Sequence, residues 1–131
     1  MKIIGGFDEN LYRKICKRSG SVQAVKDVAY TRVIVHGGKK IYAERIDEIG
    51  CIFGYFNPTK SELRIICVAV DVRFQHGGLA QHLLMRAMQA AKENGVEYVR
   101  TKTKSGRDFY IREGFAEYGR KGDESLLEAM I

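Results

Sequence analysis

Val68-Ala69-Val70-Asp71-Val72-Arg73-Phe74-Gln75-His76-Gly77-Gly78-Leu79-Ala80-Gln81-His82-Leu83-Leu84 runs from an apolar, strand-like segment through a loop with two glycines into an apolar-periodic helix. Backbone N–H groups in the first turn of a helix lack intrahelical partners, and the helix dipole adds partial positive charge there. Such a junction suits a phosphate. Gly78 carries no Cβ, so an anion can approach the main chain closely. Ala80 keeps the first turn open. The backbone donors of Gln75, His76, Gly77, Gly78, Leu79 and Ala80 would point at the anion. His76 reads equally well as a phosphate contact or as an exposed imidazole. Neither G-x-x-x-x-G-K-[ST] nor G-x-G-x-x-G occurs, which argues against a P-loop nucleotidase and a dinucleotide fold.

Outward from this stretch the elements assemble in order. Residues 78–94 read as a helix through the spacing of Ala80, Leu83, Leu84, Ala87, Met88 and Ala91, with Asn94-Gly95 as its stop. A strand over 96–101 follows, so strand, crossover helix and strand form a βαβ unit with parallel neighbours. Upstream, strands over 48–56 and 62–72 flank the turn Asn57-Pro58-Thr59-Lys60. The second is apolar on both faces through Leu63, Ile65, Ile66, Cys67, Val68 and Val70, as suits a central strand. Downstream, a short helix over 105–113 stops at Gly114, and 115–118 with 125–130 read as a closing hairpin. Residues 8–18 read as a helix capped by Asp8. Residues 21–29 are helix-compatible, 32–35 are β-branched and strand-compatible, and 40–45 read as a strand. The expected fold class is α/β (α+β), a single domain over 1–131 with a central mixed, mostly antiparallel sheet flanked by helices.

Composition bounds the function. The chain has 131 residues, 45% hydrophobic and 29% charged, enough for one globular core that buries roughly two-thirds of the unfolded surface. No apolar run approaches the ~18–20 residues of a membrane span, and the N-terminal residues lack the apolar region of a secretory signal. Cys16, Cys51 and Cys67 form no C-x-x-C pair, and Cys51 and Cys67, within apolar strand-like runs, read as reduced, buried thiols, so a cytoplasmic location is expected. His36, His76 and His82 have no ligand spacing with Cys or acidic partners, so no metal is expected. The net charge of +6 favours anionic partners, of which CoA is one and nucleic acid a less favoured other.

A second motif lies about thirty residues beyond the glycine loop: Phe109-Tyr110-Ile111-Arg112-Glu113-Gly114-Phe115. Together with Gln75-x-x-Gly78-x-Ala80, in this order and on these elements, it resembles the signatures of the GNAT superfamily of N-acetyltransferases. The resemblance covers roughly residues 41–131. It implies acetyl-CoA as cosubstrate, held between two parallel strands that splay apart. The pantetheine arm would pair with the strand backbone at Val68, Val70 and Val72. An amine would attack the thioester directly, and Tyr110 would protonate the leaving thiolate. A phenol with a pKa near ~10 stays protonated at neutral pH and can act so. Three positions depart from the commonest family pattern. Val72 stands where proline is frequent, Thr103 where asparagine is frequent, and Gln75 where arginine is more frequent. Thr103 can still hydrogen-bond near the cofactor or the helix.

A base is also expected. Glu62 has the parity of Arg64, Ile66 and Val68, so it either faces the cleft as that base or stands in solvent at the strand edge. Cys67, as a buried thiol, is a poor acyl-carrying nucleophile. Three functions follow: an N-acetyltransferase acting on a primary amine, a related modifier of nucleic acid or aminoacyl-tRNA, or a non-catalytic acyl-CoA-binding domain. The amine acceptor is unnamed by the sequence, no membrane partner is expected, and a homodimer is compatible with it.

Overall fold

The computed structural model describes residues 2–131. The elements are β1 (Ile3–Gly5), α1 (Glu9–Arg18), α2 (Val22–His36), β2 (Lys40–Ile46), β3 (Gly50–Asn57), β4 (Glu62–Val70), α3 (Leu79–Glu93), β5 (Tyr98–Thr103), α4 (Arg107–Arg112), β6 (Ala116–Lys121) and β7 (Glu124–Met130). The strands form one mixed sheet in the order β1-β2-β3-β4-β5-β7-β6. Only β4 and β5 run parallel; every other neighbouring pair is antiparallel. This is the expected α/β class with one parallel pair flanked by helices.

Each face of the sheet is covered by an amphipathic solution of its own. On one face α3 turns Leu83, Leu84, Ala87 and Ala91 onto Leu63, Ile65, Val99 and Leu127. On the other, Tyr12, Ile15 and Cys16 of α1 and Ala24 and Val28 of α2 cover Ala43, Cys51, Phe53, Cys67 and Ala69. Each fully buried Leu, Ile or Phe side chain contributes about 1.5–3 kcal/mol relative to exposure. The three cysteines converge in this second layer as free, buried thiols. Contact with the Cys16 sulfur, and then burial, push the Cys51 and Cys67 thiols up, so neither is a ready nucleophile.

Three expectations are corrected, and one strand was unforeseen. Residues 32–35 are not a strand: α2 is continuous from Val22 to His36, started by the Ser21 hydroxyl, which accepts from the Ala24 N–H at 3.1 Å. Ala24, Val28, Thr31 and Ile34 meet the sheet at helical spacing, and that tertiary face overrides the β-branched run. The edge strand β1, which has three residues, had no sequence signal. β4 ends at Val70 rather than Val72, because Asp71 caps a single 3₁₀ turn, Val72–Phe74, by accepting from the Arg73 N–H at 2.9 Å. β5 begins at Tyr98 rather than Val96.

Candidate active site

β4 and β5 pair only from Glu62↔Tyr98 to Ile65↔Thr101. Beyond that point β4 pairs only with β3, and β5 only with β7. The inner backbone edges of Ile66–Val70 and of Lys102 and Thr103 therefore face a fork with no strand between them.

The fork has a local cause. Phe53 lies opposite Cys67, but Gly54 lies opposite Ile65, so Ile66 is an extra residue in β4. Such a bulge bends its strand and increases its twist. Gly54 permits it: a Cβ there would stand 2.1 Å from the Arg64 carbonyl oxygen. The bulge also inverts the alternation of side chains. Leu63 and Ile65 belong to the α3-side core, Ile66 and Cys67 pack on the α1/α2 side, and Val68 returns to the α3 side. The expectation that Glu62 shares a face with Val68 is thereby corrected.

At the vertex, the Thr101 hydroxyl donates to the Ile65 carbonyl oxygen at 3.0 Å. Tyr110 of α4 lies behind it, 6% exposed, with its ring against Phe109 and Phe115. Burial raises the Tyr110 pKa, and the hydrogen-bonding Thr101 hydroxyl opposes that rise in part. The phenol thus keeps its proton at every ordinary pH. Thr103 sets the entry to α4: its Oγ1 accepts from the Gly106 N–H at 2.8 Å. A Cβ at Gly106 would crowd that oxygen at 2.9 Å, so a side chain there would disturb the Thr103 contact that shapes the turn.

At the open end, Gly78 caps α3 in the left-handed conformation, φ +83°, and no side chain bonds the first-turn N–H groups. A Cβ at Gly78 would meet nothing within 4 Å, so the space in front of the helix is clear. Gly77 is exposed beside it, and Leu79 and Ala80 begin the helix half-buried. His76 is also left-handed, φ +68°, which a non-glycine residue adopts at some cost. Gln75 does not aim its side chain at this space. Its Nε2 donates to the Val70 carbonyl at 3.0 Å and the Ser19 carbonyl at 3.4 Å, tying the loop to the end of β4 and to the α1–α2 connection. Val70 is buried, Val68 half-buried, and Val72, outside the strand, is exposed. The Arg73 side chain, and then its backbone N–H, hold the Asp71 carboxyl down to about 2.

Glu62 lies at the closed end, 1% exposed, with Oε2 3.0 Å from Arg64 Nε and Oε1 3.1 Å from Arg100 Nη1. Arg100 also pairs with Glu128 at 3.0 Å and stacks over the Tyr98 ring at 4.1 Å. Both of its oxygens are thus engaged by guanidiniums. These pairs, with Arg107–Glu117, also neutralise part of the basic stretch over 100–107.

One titratable group in the helical layer over β4 was missed by sequence reasoning. Asp27, the only acid of α2, is half-buried and accepts from Gln23 Nε2 at 3.0 Å. Burial raises its pKa to about 6. The available signal was a single carboxylate directly before Val28, within the apolar spacing Val22, Val25 and Val28.

The comparisons with known proteins agree with this geometry. The model of the acetyltransferase (GNAT) domain matches residues 27–117. None of the curated proteins matches the chain in sequence. Among solved structures, a GNAT-family protein of Desulfovibrio desulfuricans superposes with a TM-score of 0.80 at 18% identity, over 98% of each chain. The PaiA N-acetyltransferase of Thermoplasma acidophilum, in complex with coenzyme A, gives 0.73 at 13% identity over 100% of both chains. The ribosomal-protein-S18-alanine N-acetyltransferase of Escherichia coli gives 0.72 at 14% identity, over 99% of this chain and 93% of its own. At these identities the structures speak for the fold, and the domain match over residues 27–117 speaks for the family. With the forked parallel pair and the uncapped helix beside it, the chain belongs to the GNAT family of acetyltransferases and is an acyltransferase that uses acetyl-CoA.

Proposed function

We propose that this chain transfers the acetyl group of acetyl-CoA to a primary amine, with the pyrophosphate at the start of α3 and the thioester at the vertex of the fork. The observation that carries the reading is continuity. The unpaired inner edge of Ile66–Val70 leads from the vertex, beside Tyr110, to the clear, uncapped N-terminus of α3. An extended arm needs backbone partners along its length, and a diphosphate needs donors at its end. The two requirements fit this edge and this helix start.

Each residue then has a defined task. Backbone N–H groups over 75–80 hold the anion, with Gly78 leaving room. Gln75 braces the loop through its side chain. The β4 edge at Val68 and Val70 aligns the arm. Thr103 orders the turn into α4, and Tyr110 gives its hydroxyl proton to the leaving sulfur. Acetyl-CoA supplies the acyl group and a thiolate leaving group; the chain supplies alignment, a dry vertex and the proton.

The test is release of CoA thiol in the presence of polyamines, peptide N-termini, small amines and aminoacyl-tRNA. Thiol release should match acetylated amine one for one with at least one class. Acetyl-CoA bound without release against every amine would overturn the proposal. With an acceptor in hand, Tyr110→Phe should lower kcat by roughly 100-fold at unchanged acetyl-CoA affinity, the usual scale for a lost acid. Unchanged turnover, with chemistry rate-limiting, would return Tyr110 to packing.

A further inference from the structure

α1, α2 and α3 each lay one face on the sheet, but their outer faces differ. The exposed positions of α1 are Asn10, Lys14, Lys17 and Arg18, all polar. Along α3 the exposed positions are polar apart from Met85. α2 turns apolar side chains both ways. Ala24, Val28, Thr31 and Ile34 are buried on the sheet side. Val22, Lys26, Ala29 and Val33, at spacings of four, three and four, form a stripe along the opposite side of the helix, exposed throughout. Val22 is 72% exposed, Val33 60%, and Tyr30, on the flank of the stripe, 53%. Helices that are apolar on every side are normally covered on every side, and an exposed apolar patch of this kind marks an interaction site.

The stripe is complementary to itself. Two copies of α2 laid antiparallel, about a two-fold axis between Asp27 and Val28, bring Val22 of each onto the partner's Val33 and Lys26 onto the partner's Ala29. The long lysine stem then crosses the smallest side chain of the stripe, and its ammonium reaches water at the rim. The two valines and the tyrosine supply on the order of 300 Å² of exposed apolar surface per copy. With the lysine stem and the flanks, a pair buries roughly 1,000 Å² in all, the low end for a specific interface. Charge disfavours an anionic occupant. Arg32 is closed onto Glu9 through both Nε and Nη2, which leaves Lys26 as the one lysine or arginine of α2 without an ion pair among the described residues. A lipid headgroup layer or a nucleic acid would have a single cation on this helix to hold.

We propose that α2 is a self-association surface: two copies of this chain pair antiparallel through Val22, Lys26, Ala29 and Val33 to give a reversible two-fold dimer. Val22 closely follows Ser19, whose carbonyl accepts from Gln75 at 3.4 Å. The partner therefore stands beside the connection that braces the glycine loop at the start of α3.

The experiment is sedimentation velocity on the full chain, with circular dichroism and the thermal midpoint as checks that each variant is folded. Wild type should pass from monomer to dimer as concentration rises, with half-dissociation at roughly 10–100 μM, as suits an interface of this size. Val22→Lys and Val33→Glu, both at exposed positions, should fold as wild type does and weaken association at least about tenfold, because each sets a charge against a valine. The double variant, Val22→Lys with Val33→Glu, sets opposite charges face to face at both ends of the antiparallel contact and should restore the dimer. Ala29→Arg, which keeps helix propensity, is an independent probe at the centre and should also be monomeric. A wild type that stays monomeric up to roughly 500 μM overturns the proposal. If that monomer also sediments with phosphatidylserine-containing vesicles, and Val33→Glu does not, the stripe serves a lipid surface instead. A dimer unmoved by Val33→Glu and by Ala29→Arg lies on another face and overturns it as well. Monomeric single variants whose double variant is still monomeric overturn the antiparallel pairing.

Discussion

The two halves of the β4–β5 pair are built from the same strands and behave in opposite ways. From Glu62 to Ile65 the strands are hydrogen-bonded together, and the charges are closed into a chain of Arg64, Glu62, Arg100 and Glu128. From Ile66 to Val70 the inner edge of β4 has no partner strand among the described residues. The boundary is one extra residue opposite one glycine. Saturation marks the end that holds the fold, and unpaired backbone marks the end open to a ligand.

Removing the boundary should have the largest effect. Gly54→Ala places a Cβ 2.1 Å from the Arg64 carbonyl. Because the obstacle is backbone, the bulge must be rebuilt or the hairpin displaced, at more than about 3 kcal/mol. Denaturant unfolding measures this, and a loss under about 1 kcal/mol would mean that the fork does not depend on Gly54. Next comes the closed end. Glu62→Gln leaves Arg64 and Arg100, each largely shielded from water, without their shared carboxylate, and should cost about 3 kcal/mol. Its folded fraction should bind acetyl-CoA as wild type does and keep its kcat. A selective loss of kcat would restore Glu62 as a base. At the open end, Gly78→Glu puts bulk and like charge where the diphosphate is expected, and forces a side chain onto φ +83°. Acetyl-CoA affinity should fall by at least roughly 100-fold, with only a modest loss of stability. Calorimetry reads it directly, and unchanged affinity in folded protein would move the phosphate elsewhere. Together the three variants separate the roles: stability falls most at Gly54 and Glu62, and cofactor affinity at Gly78.

Much of this was legible in the sequence where the signal is local. The helical spacing of Leu83, Leu84, Ala87 and Ala91 produced α3, and Asn57-Pro58 marked the β3–β4 turn. The pairing of Gln75-x-x-Gly78-x-Ala80 with Phe109-Tyr110-x-x-x-Gly114-Phe115 pointed to the family that the domain match then showed. The bulge was hidden because β4 is apolar on both faces, so an inverted alternation leaves the pattern unchanged. Gly54, isolated within a strand, was the one available sign. Residues 32–35 misled because a β-branched run is compatible with either element until one face is covered. Glu62 looked free because parity gives a face and says nothing of Arg100, 38 residues away.

By itself, the sequence determined the periodicities, the caps and stops, and the two short motifs, because each is written within one or two turns of chain. Asp8 and Ser21 at helix starts and Gly78 before α3 act through bonds or torsions only a few residues long. Tertiary structure alone decided which of these groups meet. It gathered Cys16, Cys51 and Cys67 into one core and closed Glu62 between two arginines. The physical reason is that burial and charge act through space. A carboxylate acquires its proton affinity from the elements folded around it, and those are brought together only when the sheet, its bulge and both helical layers are in place.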